Sequence, residues 1–439
     1  MSTGIAATND FAPSNAYRQS IAWLLMAVYT LNFMDRQVVS VLLPQIQKEF
    51  QASDTVAGLL HGTAFALFYV TLALPIARWA DTGNRVRIIA VATVLWSAMT
   101  ALCGFARNFA ELFLARIGVG VGEAGCSPAA YSLLSGYFPA ERRPGAMAIY
   151  GAGIPLGSAL GLAGGGLIAQ SFGWREAFWI FGAPGLLVGL VVAFYIKEPP
   201  RVVEASAVRP SLAAVLRELL SRRSFLHATF ATSLLAFAGF GAGTWAPSFL
   251  VRSHGMEIGL VGPALAAITI MGAVPATIFA GRIADRWVQN DRRYHMWLPA
   301  IAMVSAVPFS VVALLLPAGD LTLFDFTAPS AAVVVALFLI PTAANATYVG
   351  PVMAAIQTMI PDRMRAMTIA IFLFVTNLIG LGAGPVAIGY LSDMLRAEFG
   401  ADSLRWALLV TVLVNLWAVF HFVRAARFIK ADMARTTGK

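Results

Sequence analysis

The sequence predicts an all-α membrane protein of twelve transmembrane helices in two six-helix bundles, and three observations predict it. Of the 439 residues, 59% are hydrophobic and only 12% charged, with a mean hydropathy of +0.74. That is more apolar surface than a soluble core can hide, and too few charges to coat one. Twelve stretches approach or exceed the ~20 mostly apolar residues that a spanning helix needs. The longest polar stretch, 197–224, leaves six of them on either side.

In chain order, a polar tail at 1–20 precedes a first bundle over 21–196, with spans at 21–44, 54–80, 88–106, 109–138, 145–171 and 174–196. The polar stretch at 197–224, with Pro199, Pro200 and Pro210, is then a cytoplasmic linker. Within it Leu212, Val215, Leu216, Leu219 and Leu220 recur at helical spacing with Arg217, Arg222 and Arg223 between them, which predicts a short amphipathic helix. A second bundle over 225–426 has spans at 225–251, 258–281, 295–317, 328–359, 366–392 and 403–426, followed by a tail at 427–439.

The net charge of +9 does not point to nucleic acid. With both termini placed in the cytoplasm, most of the 31 Lys and Arg residues fall on that side, so the basic excess is a topology signal. A bacterial-type inner membrane is the expected location. Residues 1–20 are polar with Arg18 as the only basic residue, so no cleavable signal peptide is expected. Cys103 and Cys126 fall inside spans, which suggests neither a disulfide nor a metal site. The five histidines are scattered and no nucleotide-binding loop occurs, which argues against a membrane enzyme and a nucleotide-driven pump. No cofactor is expected.

Charge inside the spans is the most informative feature. Asp35 and Arg36 lie in the first span, Arg116 and Glu123 in the fourth. A charge at the bilayer centre costs at least ~2.5–3.5 kcal/mol, so such residues face partners or a water-filled path. Counting ~1.5 Å per helical residue puts Asp35 and Arg116 at a matching depth of roughly 12–14 Å from the outer surface, and His61 at about the same depth. Glu123 lies about 10 Å deeper, on the same face as Arg116. A carboxylate beside a guanidinium stays ionised, whereas the same carboxylate desolvated alone takes up a proton. Asp35, Arg116, Glu123 and His61 are therefore the candidate proton-coupling residues, with a static network between the first and fourth spans as the alternative. Adjacent helical residues point about 100° apart, so Arg36 faces elsewhere, toward the second span or the lumen.

The second half has no Asp, Glu, Lys or Arg in the interior of any span. A cavity with one charge-balanced wall and one largely apolar wall suits an amphipathic ligand. Its candidate contacts are Arg36, Arg116, Glu123 and Tyr69 on one side, and Phe237, Trp245, Asn345, Tyr348, Phe374 and Asn377 on the other. Gly153, Gly157, Gly161 and Gly165 repeat every four residues, the spacing of a close helix contact. Gly153, Pro155 and Gly157, with Gly384 and Pro385 in the eleventh span, are candidate hinges.

The halves also echo each other. Ala77-Arg78-Trp79-Ala80-Asp81 closes the second span and Gly281-Arg282-Ile283-Ala284-Asp285-Arg286 closes the eighth, six spans later. Parallel six-helix repeats place a substrate cavity between two similar bundles, near the midplane. These residues resemble the major facilitator superfamily, whose loop signature after the second span runs G-x-x-x-D-R-x-G-R-R; this chain has Ala77, Asp81, Thr82, Asn84, Arg85 and Arg87 there, and Gly281 with Asp285 and Arg286 in the second copy. Its first Gly and the Arg after Asp are missing in the first copy. The resemblance implies the major facilitator fold and a conformational latch at Asp81, Arg85, Arg87, Asp285 and Arg286. Asn32-Phe33-Met34-Asp35-Arg36, the run from Arg116 to Ala124 with Gly118, Gly120, Gly122 and Glu123, and Ile154-Pro155-Leu156-Gly157-Ser158 resemble the spinster-type branch. The antiporter signature of the fifth span calls for Gly before Pro, and Ile154 stands there. The function implied is secondary transport of a lysophospholipid or sphingoid-phosphate type of substrate by alternating access, proton-linked, by a monomer among membrane lipids. A proton-coupled drug or organic-anion carrier is the alternative, and a transport-dead sensor a remoter one.

Overall fold

The computed structural model describes residues 13–200, 210–323 and 326–437. Twelve helical spans are present, several of them in pieces. Span 1 is Asn15–Phe50; span 2 is Asp54–His61 with Thr63–Thr82; span 3 is Arg85–Cys103. Span 4 is Phe109–Glu123 with Cys126–Tyr137, span 5 Arg143–Gly151 with Gly153–Ser171, and span 6 Trp174–Tyr195. The linker helix is Leu212–Ser221, and span 7 is Arg223–His254. Span 8 is Ile258–Ile268 with Val274–Asn290, span 9 Tyr294–Leu315, and span 10 Ser330–Asn345 with Val349–Met359. Span 11 is Arg365–Asn377 with Gly384–Phe399, and span 12 is Ser403–Thr437.

Two features depart from the continuous spans expected from hydropathy. Spans 8 and 11 each carry a wide turn, Thr269–Ala273 and Leu378–Ala383, directly before a helical piece that opens with Pro275 or Pro385. Proline has no N–H to give and its ring crowds the carbonyl four residues back, and one turn of i→i+5 bonding accommodates both. A small antiparallel hairpin, Asp320–Leu323 against Phe326–Pro329, joins spans 9 and 10, where the sequence suggested only a loop. By length and apolar composition alone, eight described helical stretches could cross a membrane, and they take in every span except the first, second and fourth. Those three carry Asp35, Arg36, His61, Arg116 and Glu123.

Spans 1–6 and 7–12 form the two bundles, and their apolar packing shows how they meet. At the end that carries the termini and the linker, the core is divided. One cluster, around Ile21, Ile89, Leu133 and Tyr150, belongs to the first bundle apart from Leu381, and another, around Phe225, Met296, Ile356 and Phe422, belongs to the second together with Val215 and Leu219 of the linker helix. At the remote end a single cluster runs through both bundles, from Val39, Leu60 and Trp174 to Trp245, Phe249 and Leu404. The molecule is closed at the remote end and open at the termini end.

Polar groups seal the closed end. Asp54, fully buried at the start of span 2, accepts hydrogen bonds from Arg252 (2.7 and 2.9 Å), Arg396 (2.8 Å) and Ser392 (2.7 Å), all on the other bundle. Gln47 of its own bundle adds a fifth at 2.8 Å. In return Asp393 of span 11 accepts from the backbone N–H groups of Asp54 and Thr55 (3.0 and 2.8 Å), so that a carboxylate of one bundle caps a helix N-terminus of the other. Glycine allows the approach: a Cβ on Gly389 would lie 2.2 Å from the Asp54 carbonyl oxygen, and one on Gly262 2.1 Å from that of Leu162. Among the described residues, the ion pairs that cross between bundles are Arg252–Asp54 and Arg396–Asp54, both at this end.

Candidate functional site: a charged cavity between the bundles

Near mid-depth, span 2 breaks at Gly62 and meets the wide turn of span 11, where Thr63 Oγ1 donates to the Gly382 carbonyl at 2.8 Å. Just inside this seam lie the four intramembrane charges. Asp35, Arg116 and Glu123 are almost wholly buried. Asp35 accepts a hydrogen bond from Thr100 Oγ1 at 2.5 Å and one from Arg116 Nη1 at 3.4 Å. Arg36 donates through Nε to Glu123 Oε2 at 2.7 Å. The four charges thus resolve into two neighbouring neutral pairs between spans 1 and 4, the arrangement in which buried charge is tolerated.

The first pair is the one that matched depth predicts. The second is not: Arg36 faces the second span and the cavity, as its position on the helix predicts, but it also pairs with Glu123. The reason is local. Span 4 unwinds just after Glu123, at Ala124 and Gly125, and its glycines press against neighbouring backbone. A Cβ on Gly120 would lie 2.7 Å from the Phe65 carbonyl oxygen, and one on Gly122 2.8 Å from the Trp96 nitrogen. Arg36 also stacks on rings: its guanidinium carbon is 4.5 Å from the centroid of Tyr69, 4.7 Å from Phe65 and 5.0 Å from Phe33. Three polar atoms of the cluster, Glu123 Oε1, Arg116 Nε and His61 Nδ1, are buried without a hydrogen-bond partner.

These groups border a cavity of about 380 Å³ between the bundles. Arg36, His61, Tyr69 and Arg116 line one wall; Asn345, Tyr348, Asn377 and Phe240 line the other. A second cavity of about 360 Å³ reaches into the second bundle along Ala242, Leu265, Phe338 and Leu408, with Leu162 of the first bundle at its edge. The two share Gln37, Gly239, Gly243 and Asn345 as lining residues.

Of the residues expected at a ligand, Glu123 stands behind Arg36 and off the lining. Phe237, Trp245 and Phe374 line neither cavity. Trp245 is fully buried toward the closed end and donates its indole N–H to the Pro385 carbonyl at 2.8 Å. The Phe237 backbone packs on Gly384, where a Cβ would lie 2.4 Å from its carbonyl oxygen. Phe240, one turn further on, takes the place expected of Phe237. Tyr29, Phe33, Gln37 and Phe65 line the polar cavity without having been singled out. A signal was available: Tyr29, Phe33, Arg36 and Gln37 share one helical face, as do His61, Phe65 and Tyr69.

At the open end none of the described latch side chains pairs across the bundles. Arg85 pairs with Glu198 at 2.6 Å and donates to the Ser132 and Pro199 carbonyls, while Glu198 also accepts from the Val86 backbone at 3.1 Å. Helix capping combined with an arginine pair is thus performed by Glu198, which the loop motif did not indicate. Arg87, Asp285 and Arg286 are exposed; the side chain of Asp81 lies outside the described residues. Of the expected hinges, Gly153 follows the interruption of span 5 at Ala152, and Gly384 and Pro385 follow the wide turn of span 11. Gly157 packs tightly, since a Cβ there would lie 2.2 Å from the Thr30 carbonyl oxygen.

Comparison with known proteins accords with this architecture. The family model of the Major Facilitator Superfamily matches residues 25–385. The chain is 33% identical over 407 residues to an MFS-type efflux pump of Mycolicibacterium smegmatis, covering 92% of each. It is 28% identical to protein spinster homolog 1 of Xenopus laevis, covering 95% of this chain and 82% of the relative. Among solved structures it resembles a bacterial homolog of the human lysosomal transporter Spinster in an inward-facing, unoccupied conformation, with a TM-score of 0.85, 29% identity and coverage of 96% and 99% of the two chains. The chain belongs to the major facilitator superfamily and to its spinster-type branch: it is a secondary membrane transporter that works by alternating access, and not an enzyme.

Proposed function

We propose that the protein carries an amphipathic lipid-like anion or zwitterion of lysophospholipid or sphingoid-phosphate type. The headgroup sits beside Arg36 and Arg116, and the tail lies in the apolar cavity of the second bundle. The observation that carries this reading is the pair of adjoining cavities, one with a cationic, aromatic wall and the other largely apolar, which share Gln37, Gly239, Gly243 and Asn345. In this reading both termini are cytoplasmic in an inner membrane, as the basic residues favour, so the open end faces the cytoplasm. The carrier works as a monomer.

Proton linkage is proposed through Asp35. Its carboxylate is neutralised by Arg116 and accepts a hydrogen bond from Thr100; a headgroup phosphate that draws Arg116 away leaves it desolvated without a counter-charge, and it then takes up a proton. Glu123 and His61, each with an unpartnered buried atom, are the neighbouring proton sites. Rocking bends at Gly153, Pro155, Gly384 and Pro385, and when the termini end closes, Arg87, Asp285 and Arg286 approach the opposite bundle.

The test is flux in proteoliposomes of the purified protein, comparing a lysophospholipid and a sphingoid phosphate with a small hydrophilic anion, with and without a pH gradient. Lipid flux that Arg116→Ala abolishes and a gradient drives is the expected result, with Asp35→Asn removing the gradient dependence. A second reading, efflux of a drug or organic anion, is favoured by the similarity to the mycobacterial efflux pump; flux of the small anion alone would discard the lipid-type substrate and leave alternating access intact.

A further inference from the structure

On the outer face of the second bundle, away from both cavities, spans 7 and 12 bring two histidines together. His227 Nδ1 and His421 Nδ1 are 2.9 Å apart and share one hydrogen bond. Around them stand the guanidinium groups of Arg223 and Arg424, each with its carbon 5.5 Å from the centroid of the Phe428 ring. Phe428 stacks on His227, and Phe230 on His421. The Nε of Arg424 is buried without a partner. Among the described residues no carboxylate pairs with Arg223 or Arg424. The acidic groups nearby are committed elsewhere, Glu218 to Arg222 and Asp432 to the backbone N–H and hydroxyl of Ser224.

Two close imidazoles invite a metal reading, but the charge is wrong for it. Both guanidinium groups act electrostatically on His227, and among the described residues no third ligand completes a metal group. Such a cluster attracts an anion. Its position names the kind of anion. Arg223 opens span 7 at the termini end, where the helix enters the bilayer, and Phe230, Trp417 and Phe420 are each more than half exposed beside it. Basic groups at the membrane surface above exposed apolar rings suit a phosphate headgroup with acyl chains below it.

We propose that Arg223, His227, His421 and Arg424 form a binding site for the phosphate of an anionic phospholipid in the leaflet at the termini end, distinct from the transport cavity. The ligand bridges spans 7 and 12 next to the linker helix.

The experiment is native mass spectrometry of the protein released from vesicles of equal phosphatidylglycerol and phosphatidylcholine, read together with its thermal unfolding after delipidation and readdition of each lipid. The wild type is expected to retain phosphatidylglycerol over phosphatidylcholine and to be stabilised by it. Arg223→Gln/Arg424→Gln is expected to cut that retention at least fivefold, while Arg142→Gln/Arg363→Gln, the same charge change at exposed residues between spans 4 and 5 and between spans 10 and 11, leaves it intact. If the double variant does not fold, the single variants Arg223→Gln and Arg424→Gln are read in the same way. Equal retention in wild type and variants would overturn the site. Displacement of the lipid by millimolar inorganic phosphate would overturn the assignment to a lipid in favour of a soluble anion.

Discussion

Asp54→Asn is expected to loosen the closed end and shift the carrier toward the opposite facing state. The substitution keeps the shape of the side chain and removes its charge. Three of the five hydrogen bonds Asp54 accepts come from guanidinium groups of the other bundle, at 2.7, 2.8 and 2.9 Å. Hydrogen bonds to charged groups are each worth about 1.5–3 kcal/mol, which sets an upper bound well above the net effect. Arg252 and Arg396 are 22% and 50% exposed, so water takes over part of what they lose. A net loss of about 2–3 kcal/mol from the closed end is a reasonable scale, and it lowers the ratio of closed to open populations roughly 30- to 150-fold. The assay is a pair of spin labels across the remote end, one on each bundle, with distances measured by pulsed electron resonance in nanodiscs. The expected result is a new population at longer distance, matched by shortening across the termini end. A folded Asp54→Asn protein with an unchanged distance distribution would refute the reasoning, because the buried carboxylate would then contribute nothing to the choice of state.

Other substitutions separate the remaining roles. Gly389→Val puts its side chain against the Asp54 backbone across the seam, and Gly157→Val against Thr30 inside one bundle. Overpacking costs typically ~1–3 kcal/mol, so the first should change label distances at similar thermal stability, and the second should lower the unfolding temperature without changing the facing state. Glu123→Ala leaves Arg36, 17% exposed at the cavity, without its counter-charge and should destabilise by less than the about 3–5 kcal/mol of a fully buried pair. Arg36→Met/Glu123→Met should recover most of that in thermal unfolding while leaving transport impaired. Arg36→Lys keeps the charge but loses the planar contact with Phe33, Phe65 and Tyr69; a weakened apparent affinity in the flux assay, with the fold intact, is the expected outcome.

Much of this protein is legible in the sequence, and the reason is the solvent. In a bilayer every backbone polar group must be satisfied within its own helix, so apolar length marks nine of the twelve spans, and the charge-bearing first, second and fourth complete two halves of six. Depth follows from helix rise, which is why Asp35 and Arg116 could be matched in advance. Direction does not. Where a side chain points around its helix depends on the neighbours that surround it, and those were decided by packing: the glycines of span 4 against Phe65 and Trp96 turned Glu123 toward Arg36. The broken turn of span 11 and the close seat of Gly384 on span 7 took Phe237 off the cavity wall and put Phe240 there. The Asp54 hub was equally hidden, since an acidic residue at the start of a span reads as a loop charge until Arg252 and Arg396 arrive from about 200 and 340 residues away. The apolar lengths of single segments, local and additive, determined the fold class; the pairing of charges and the choice of closed end depend on surfaces remote in sequence, and only the tertiary structure decided them.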